Sequence, residues 1–363
     1  MRAVEKPLFP IPRKIEEIDR EWLTAALRVN APDVTVLDFR ILDVFNATST
    51  SIRLLLTLDD EGRRAGIPDY VYLKGGFQEH SQKLASMHKL ETLGYRDLLV
   101  GGELNSPICY FADWDEENDH GVIIMEDLTQ RGGKFGHLRV TRSPEEVEAG
   151  VVRLAHYHAR TWDCPTFAPE HPLGWVRQQP ILETPGYQHG LSPEGFEEFA
   201  TLPRAGATST YFKDREWMIE AVRRIGILSK RVPNCIHHGD PNPGNIFFQD
   251  DGNVAFFDIV PRRGPALFEV AYHVTLSLDP IDRPKHEENL VRRYLGELRQ
   301  LGVNPPSFED AMFQYGVFLA EAMLMCFFNL PGVIPEDMAV IPVARLTAAM
   351  IDHDTRGLIA RIR

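Results

Sequence analysis

The chain has 363 residues, of which 39 are basic and 52 are acidic, so its formal charge at neutral pH is −13. Hydrophobic residues make up 44% and charged residues 25%, which is typical of a soluble globule and excludes a disordered or collagen-like chain. This length is long for one ordinary domain and suits two substructures. The acidic balance argues against a nucleic-acid partner, but an anionic substrate can still bind at a locally positive site.

The cysteines and the apolar segments bear on location. Four cysteines lie far apart without a CxxC pair, which favours free thiols in a reducing compartment over disulfides or zinc. Residues 1–14 lack the apolar core of a signal peptide. The most apolar stretch, 317–330, is too short for a membrane span and is typical of a buried helix. We therefore expect a soluble, cytoplasmic protein with no membrane span.

In chain order, the first third predicts a small β-rich part. Ile15, Ile18 and Trp22 begin a helical spacing, and alternating apolar runs rich in β-branched and aromatic residues follow it. A polar turn, 46–51, separates the first two of these runs. The predicted elements are a helix at 14–29, strands at 34–45, 52–58 and 70–73, a helix at 81–99, and strands at 108–111 and 122–125.

Beyond Glu126 the pattern becomes mainly helical. One short β region interrupts the helices, with a hairpin-turn signal at Asp251-Gly252. The predicted helices are 144–162, 213–231, 266–278, 286–301, 308–330 and 342–362, and the predicted strands are 235–237, 246–249 and 254–257. We therefore predict two parts, 1–126 and 127–363. The second contains an irregular insertion, 164–211, of a length that is usually functional or disordered.

The strongest local signal is the segment HHGDPNPGNIFF, at 237–248. Within it His238, Asp240 and Asn245 have the spacing H-x-D-x-x-x-x-N of a kinase catalytic loop. Phosphoryl transfer needs a carboxylate that orients the attacking hydroxyl and accepts its proton, and nearby an oxygen ligand for Mg²⁺. A short loop between two strands can present both groups at one place.

A second carboxylate, Asp258, follows 13 residues after Asn245, where an apolar run ends. A carboxylate in such a position is a suitable ligand for a hard cation. Alone, Asp240 or Asp258 would favour an Asx turn or a strand-end cap. The three side chains at this spacing favour a magnesium-dependent site instead.

With these residues in place, the sequence resembles the aminoglycoside phosphotransferase and choline kinase superfamily, and segment 256–280 is most similar to its ecdysteroid-kinase-like members. The resemblance is densest over 236–280 and weaker over 70–162. It implies an α+β, bilobal, protein-kinase-like fold with a small antiparallel β-rich N-lobe and a larger, mainly helical C-lobe. It also implies ATP and Mg²⁺ as cofactors, and phosphoryl transfer to a hydroxyl of a small molecule.

The resemblance assigns roles residue by residue. Asp240 matches the catalytic base, and Asn245 and Asp258 match the metal ligands. In VYLKGGF, Lys74 matches the strand lysine that grips the nucleotide phosphates. Glu91 matches the glutamate on the next helix that pairs with this lysine, and Glu79 is the rival for that role. The structural alternative is that Lys74 is a surface lysine and Glu91 an ordinary glutamate on a helix face.

Other nucleotide contacts are expected at the hinge and at the polar turn. GVIIMEDL resembles the interlobe hinge, so backbone groups of Glu126 and Leu128 would face the adenine. Asn46, Thr48 and Ser49 lie where the phosphate-covering loop belongs. The turn lacks a GxGxxG, so its contacts would come from N–H groups and hydroxyls, and an ordinary hairpin turn is the alternative.

Two departures from the family pattern leave the activity open. Val260 stands where relatives often carry an acidic or amide residue, and Glu269 stands where they usually carry Asp. A kinase-fold protein without phosphoryl transfer, or one that performs other chemistry on a natural product, therefore remains an alternative. Trp175, Tyr187 and Arg262 are the candidate acceptor contacts, with packing or surface roles as their alternatives. The expected partners are a nucleotide and a small-molecule acceptor, and the sequence leaves the oligomeric state open.

Overall fold

The computed structural model describes residues 7–164, 168, 170–176, 185–332 and 334–363. The chain divides into two compact units. The first, here called the β-rich unit, runs to Gly133 and includes Phe257–Val260, and the helical unit comprises Lys134–Phe256 and Pro261–Arg363. The functional boundary after residue 126 stays a prediction. Residues 165–167, 169 and 177–184 of the predicted insertion lie outside the described residues.

The β-rich unit is built on one antiparallel sheet with the strand order β1-β2-β3-β5-β4. Its strands are β1 (Val36–Asn46), β2 (Thr50–Leu58), β3 (Tyr70–Gly75), β4 (Cys109–Asp115) and β5 (His120–Glu126), and its helices are α1 (Arg20–Arg28), α2 (Asp60–Arg64) and α3 (Ala85–Asp97). Ile52, Leu54 and Leu56 alternate with less buried residues along β2, so one sheet face carries the core. Leu23 of α1 packs in the same core.

The helical unit contains short strands among many helices. Its helices are α4 (Pro144–Ala159), α5 (Pro185–Gly190), α6 (Pro193–Ala200), α7 (Arg215–Ser229), α8 (Ala266–Ser277), α9 (Arg283–Gln300), α10 (Phe308–Phe327), α11 (Glu336–Asp352) and α12 (Thr355–Ala360). The remaining strands are β6 (Gly133–Phe135), β7 (Asn234–His237), β8 (Ile246–Gln249), β9 (Val254–Phe256) and β10 (Arg262–Pro265). Strand β7 pairs with β10, and β8 pairs with β9, both antiparallel.

Helices α8 and α10 form the centre of this unit. Every residue of α8 is buried, and α10 is buried along most of its length, as expected for helices that are apolar on all sides. Among the described residues, α10 is the one helix long and apolar enough to cross a membrane by length and composition. Of its most apolar window, 78% is buried against the rest of the protein. This central pair carries several residues of the candidate site.

Some predicted element boundaries were wrong. The helix predicted at 14–29 is a 3-10 turn followed by α1, because Asp19 accepts a hydrogen bond from the backbone N–H of Trp22 and so starts a new helix. The helix predicted at 342–362 is two helices, because Asp354 adopts a left-handed backbone (φ 46°) and caps α12. Strands β6 and β10 were missed because neither shows apolar alternation.

Candidate active site

Lys74, Glu91 and Asp258 meet in the β-rich unit. Lys74 lies near the end of β3, Glu91 on α3, and Asp258 just after β9. The Lys74 ammonium lies 2.6 Å from Oε1 of Glu91 and 2.5 Å from Oδ1 of Asp258. These three residues are separated by up to 184 positions in the chain, so the fold brings together side chains that the sequence could place only by resemblance.

Lys74 and Glu91 have shifted pKa values, and the members of the cluster differ in exposure. Burial would lower the pKa of Lys74, but the carboxylates of Asp258 and Glu91 outweigh it and raise that pKa above its ordinary value. Burial raises the pKa of Glu91. Asp258 adds to this upward shift, and Lys74 opposes it. The Asp258 side chain is 42% exposed, against 8% for Lys74. The lysine is therefore a permanent cation held by two carboxylates, and Asp258 is the one that reaches solvent.

Asp258 has a left-handed backbone, with φ at 58°. For a residue other than glycine this conformation costs about 1 kcal/mol or more, and such residues are concentrated at functional sites. The conformation is observed where an apolar strand ends, two residues after β9. The strain therefore supports a functional role for this carboxylate.

Asp240 lies in the helical unit, in the loop between β7 and β8, and its carboxylate is held by three side chains. Oδ1 accepts hydrogen bonds from Tyr272 Oη at 2.7 Å and from Asn242 Nδ2 at 2.9 Å. Oδ2 accepts one from Asn245 Nδ2 at 3.0 Å. Oδ1 is therefore occupied twice and Oδ2 once, which leaves Oδ2 with the greater capacity to accept a further proton donor.

The role of Tyr272 was missed from the sequence. It lies on α8 three residues after Glu269, so both side chains project from one face of that helix. Burial raises the pKa of Tyr272 well above its ordinary value, and the neighbouring charge of Asp240 adds to the shift. The phenol is therefore a permanent donor to Asp240. The helical spacing from Glu269 was the signal that could have found it.

Glu269 anchors the loop between β7 and β8. Its carboxylate is fully buried and accepts hydrogen bonds from the backbone N–H of His238 at 3.0 Å and of Gly239 at 2.6 Å. The ring of His158, on α4, lies 3.0 Å away. Burial would raise the pKa of Glu269, but His237 and His158 outweigh it and hold that pKa below its ordinary value. The longer side chain therefore reaches the loop, so this departure leaves the loop anchored.

The residues after β5 form an ion-pair network. The carboxylate of Glu126 accepts hydrogen bonds from Arg131 Nη2 at 2.6 Å and from the backbone N–H of Ile108 at 3.0 Å. Asp127 is fully buried and pairs with Arg53 of β2 at 2.8 Å, a contact that the sequence did not suggest. Leu128 is buried and begins a 3-10 turn. The side chains of Glu126 and Asp127 thus hold the segment in place, and the adenine contact expected of the Glu126 and Leu128 backbone stays a prediction.

The polar turn between β1 and β2 is tied to other parts of the β-rich unit. Asn46 accepts hydrogen bonds from Thr50 and, at 3.2 Å, from Gln78. The Thr48 carbonyl lies 3.1 Å from the ring of His88, on α3, and Ser49 is buried. The turn is therefore fastened at its base, and the loop-to-phosphate contact expected for Asn46, Thr48 and Ser49 stays a prediction.

Two of the three acceptor candidates, Tyr187 and Arg262, belong to the helical unit, as Asp240 does. Burial raises the pKa of Tyr187; Arg262 opposes that shift, and Glu321 and Asp240 add to it. Arg262 lies on β10, opposite His237 in the paired strands. Trp175 is half-buried in the short described stretch 170–176.

No protein-family profile and no curated protein matches the chain. Solved structures do match. One is an ethanolamine kinase of Plasmodium vivax, with 14% identity, a TM-score of 0.50, and coverage of 88% of this chain and 82% of that chain. Another is the choline kinase LicA of Streptococcus pneumoniae, with 13% identity, a TM-score of 0.51, and coverage of 87% and 94%. A choline/ethanolamine kinase family protein of Mesorhizobium loti has 13% identity, a TM-score of 0.50, and coverage of 94% and 98%.

The chain has a bilobal kinase-like fold. The predicted α+β architecture, with an antiparallel β-rich region and a helical region, is confirmed. At this level of identity the likeness establishes the fold alone. The finer resemblance to ecdysteroid-kinase-like proteins stays a prediction.

The donor atoms expected in such a fold suit magnesium. Among the described residues no three His, Cys, Asp or Glu side chains form a metal-binding group. Mg²⁺ is usually held by one or two protein oxygens together with water and substrate phosphates, so a cluster of three is not required. The Asp258 carboxylate and the Asn245 amide are oxygen donors of this kind. Each of these residues thus supplies a donor atom of the type that Mg²⁺ prefers, and a shared metal site stays a prediction.

Proposed function

We propose that the protein transfers the γ-phosphate of ATP to a hydroxyl group of a small molecule, with Mg²⁺ as cofactor. The observation that carries this proposal is the Asp240 carboxylate, held by Tyr272, Asn242 and Asn245 at hydrogen-bond distance in an H-x-D-x-x-x-x-N loop. Such a fixed carboxylate suits a base that orients one hydroxyl. The kinase-like fold and the lysine–carboxylate cluster support the same reaction.

In the proposed reaction, Asp240 receives the proton of the acceptor hydroxyl through Oδ2. The acceptor oxygen forms a bond to the γ-phosphorus while the bond from that phosphorus to the bridging oxygen breaks, and ADP leaves. Tyr272 and Asn242 hold Oδ1, which fixes the plane of the carboxylate. Most of the rate enhancement would come from this positioning and from the neutralisation of phosphate charge.

Lys74 and the metal would neutralise the charge of the phosphates. Lys74 is a permanent cation, and Glu91 holds its ammonium at 2.6 Å. Mg²⁺, when bound, neutralises the charge of the phosphate oxygens, and Asp258 and Asn245 are its proposed ligands. The backbone at Glu126 and Leu128 would contact the adenine, and the turn with Asn46, Thr48 and Ser49 would lie over the phosphates.

The acceptor would bind in the helical unit beside Asp240. Tyr187 and Arg262 interact electrostatically with one another, and Tyr187 also interacts with Asp240. Trp175 is proposed as a further contact from the insertion.

Two variants and a matched control test the proposal. Asp240→Ala should abolish ADP release in the presence of small alcohols but keep thermal stabilisation by Mg·ATP. Asp258→Ala should reduce that stabilisation, because it removes a metal ligand. Asp251→Ala, in the exposed β8–β9 hairpin, is the control and should behave as the unaltered protein.

The alternative functions give different results. Stabilisation by Mg·ATP without ADP release from any acceptor would indicate a binding protein or other chemistry on a kinase-like fold. Full activity of both Asp240→Ala and Asp258→Ala would refute the assignment of the site.

A further inference from the structure

Arg262 and Glu321 form a buried ion pair whose polar atoms are poorly satisfied. Nη2 of Arg262 lies 3.4 Å from Oε1 of Glu321, beyond the roughly 2.7–2.9 Å of a charge-assisted hydrogen bond. Nε of Arg262 is buried without a hydrogen-bond partner among the described residues. The other polar contact of Nη2 is the sulfur of Met325, at 3.7 Å. The guanidinium therefore has N–H groups to offer to a ligand.

The carboxylate of Glu321 likewise accepts no hydrogen bond from the described residues. Glu321 lies on α10 with its side chain 9% exposed, and no hydrogen-bond donor in the described part of the chain reaches it. Burial raises its pKa, and Arg262 opposes that shift. Buried polar groups nearly always find hydrogen-bond partners, so a donor and an acceptor left open at one place indicate a site for a ligand.

The pair is connected to the proposed base through the packed rings of Phe268 and Tyr272. The guanidinium of Arg262 lies 4.4 Å from the centre of the Phe268 ring. Phe268 in turn packs at 5.9 Å against Tyr272, which donates its hydrogen bond to Asp240. All of these residues belong to the helical unit, and none of them depends on the β-rich unit for its place.

The charges of the pair select among ligands. An ammonium that approached Glu321 would meet the guanidinium of Arg262, and a carboxylate that approached Arg262 would meet Glu321. A hydroxyl carries no net charge and both donates and accepts, so it can serve either partner. Two neighbouring hydroxyls can accept from Arg262 and donate to Glu321 at the same time.

We infer that Arg262 and Glu321 are the specificity-determining pair of an acceptor site for an uncharged, hydroxyl-rich molecule such as a sugar. One hydroxyl of that molecule would face Asp240, while others bind the Arg262–Glu321 pair. The inference rests on the proposed phosphotransfer and adds the chemical class of the acceptor to it.

Acceptors that share one carbon skeleton test the charge selection. Glucose, glucosamine and glucuronate are uncharged, cationic and anionic, and choline serves as a small permanent cation. With ADP release as the readout, glucose should have at least a tenfold higher kcat/KM than the other three. A preference for glucosamine, glucuronate or choline, or no turnover of glucose at all, would overturn the inference.

A pair of variants tests the residues themselves. Glu321→Gln keeps the shape but not the charge, and should raise the KM for glucose about tenfold with little change in kcat. Glu297→Gln is the matched control, because Glu297 is also 9% exposed and is paired with an arginine, Arg293, on its own helix α9. The KM of Glu297→Gln for glucose should equal that of the unaltered protein. If Glu321→Gln had the same KM as Glu297→Gln, the role of Glu321 would be refuted.

Failure of this inference can be told apart from failure of the proposed function. If Asp240→Ala abolishes ADP release with choline or glucosamine as acceptor, phosphotransfer stands and the acceptor class is wrong. If Asp240→Ala retains full ADP release, the proposed function itself is wrong.

Discussion

Replacement of Glu269 by glutamine should destabilise the helical unit by about 2.5 to 6 kcal/mol. The carboxylate accepts hydrogen bonds from the N–H groups of His238 and Gly239 and from His158, all of them buried. A glutamine oxygen can serve two of these donors, but its amide nitrogen then faces the third. The loss combines one hydrogen bond to a charged acceptor, about 1.5–3 kcal/mol, with a buried donor left unpaired, about 1–3 kcal/mol. This is a large share of a typical total of about 5–15 kcal/mol.

Urea denaturation followed by far-UV circular dichroism measures this loss. Glu288→Gln is the control, since Glu288 is 64% exposed and its 3.9 Å ion pair should contribute less than about 0.5 kcal/mol. Glu269→Asp retains the charge but is one methylene shorter, so we expect an intermediate loss. A Glu269→Gln loss below about 1 kcal/mol would mean that the loop N–H groups find other partners, and would refute the anchoring role.

Two further outcomes follow from the site. Tyr272→Phe removes one of the two hydrogen-bond donors to Oδ1 of Asp240. In steady-state ADP release it should lower kcat about tenfold, which corresponds to about 1.4 kcal/mol, and leave the nucleotide KM unchanged. A matching rise in KM would instead indicate a general loss of structure. In urea denaturation, Asp127→Asn should destabilise the β-rich unit by about 3 kcal/mol. This is the lower end of the range for a broken buried ion pair, because the Arg53 side chain is 26% exposed. An unchanged midpoint would contradict that role.

Local spacing explains what the sequence could predict. Asp240 and Asn245 lie five positions apart in one short loop, so their contact depends on few residues between them. Apolar alternation in β2, and the apolar content of α8 and α10, likewise reflect burial that acts residue by residue. The fold class and the loop with its flanking strands were therefore predictable without knowledge of tertiary packing.

Contacts between distant segments were not predictable in the same way. The bond from Tyr272 to Asp240 spans 32 positions and depends on how α8 is rotated against the loop. The Arg53–Asp127 pair spans 74 positions and joins β2 to the residue that follows β5. The Arg262–Glu321 pair requires β10, a strand with almost no apolar residues, to lie beside α10. Such pairs follow from packing, and no period in the sequence marks them.

The cluster at Lys74 predicts an unusual pH dependence in a variant. Lys74→Met would leave the carboxylates of Glu91 and Asp258 close together without the cation that both contact. Burial and Asp258 already raise the pKa of Glu91 against the effect of Lys74, so loss of the lysine should raise it further. A carboxyl whose pKa is higher in the folded than in the unfolded state binds more protons when folded. The variant should therefore become more stable as the pH falls, by up to about 1.4 kcal/mol per pH unit while only the unfolded state is ionised.

Urea midpoints at pH 8 and pH 5 measure this dependence. The deficit of Lys74→Met relative to the unaltered protein should be larger at pH 8, where the unfolded state is ionised but Asp258 opposes the ionisation of Glu91 in the folded state. Lys213→Met is the control, because Lys213 donates to the carbonyl of Ala205 at 3.1 Å, so its deficit should be the same at both pH values. An equal deficit for Lys74→Met at pH 5 and pH 8 would mean that Glu91 and Asp258 separate once the lysine is gone. The cluster would then be held together by Lys74 alone, and not by the packing of α3 against the sheet.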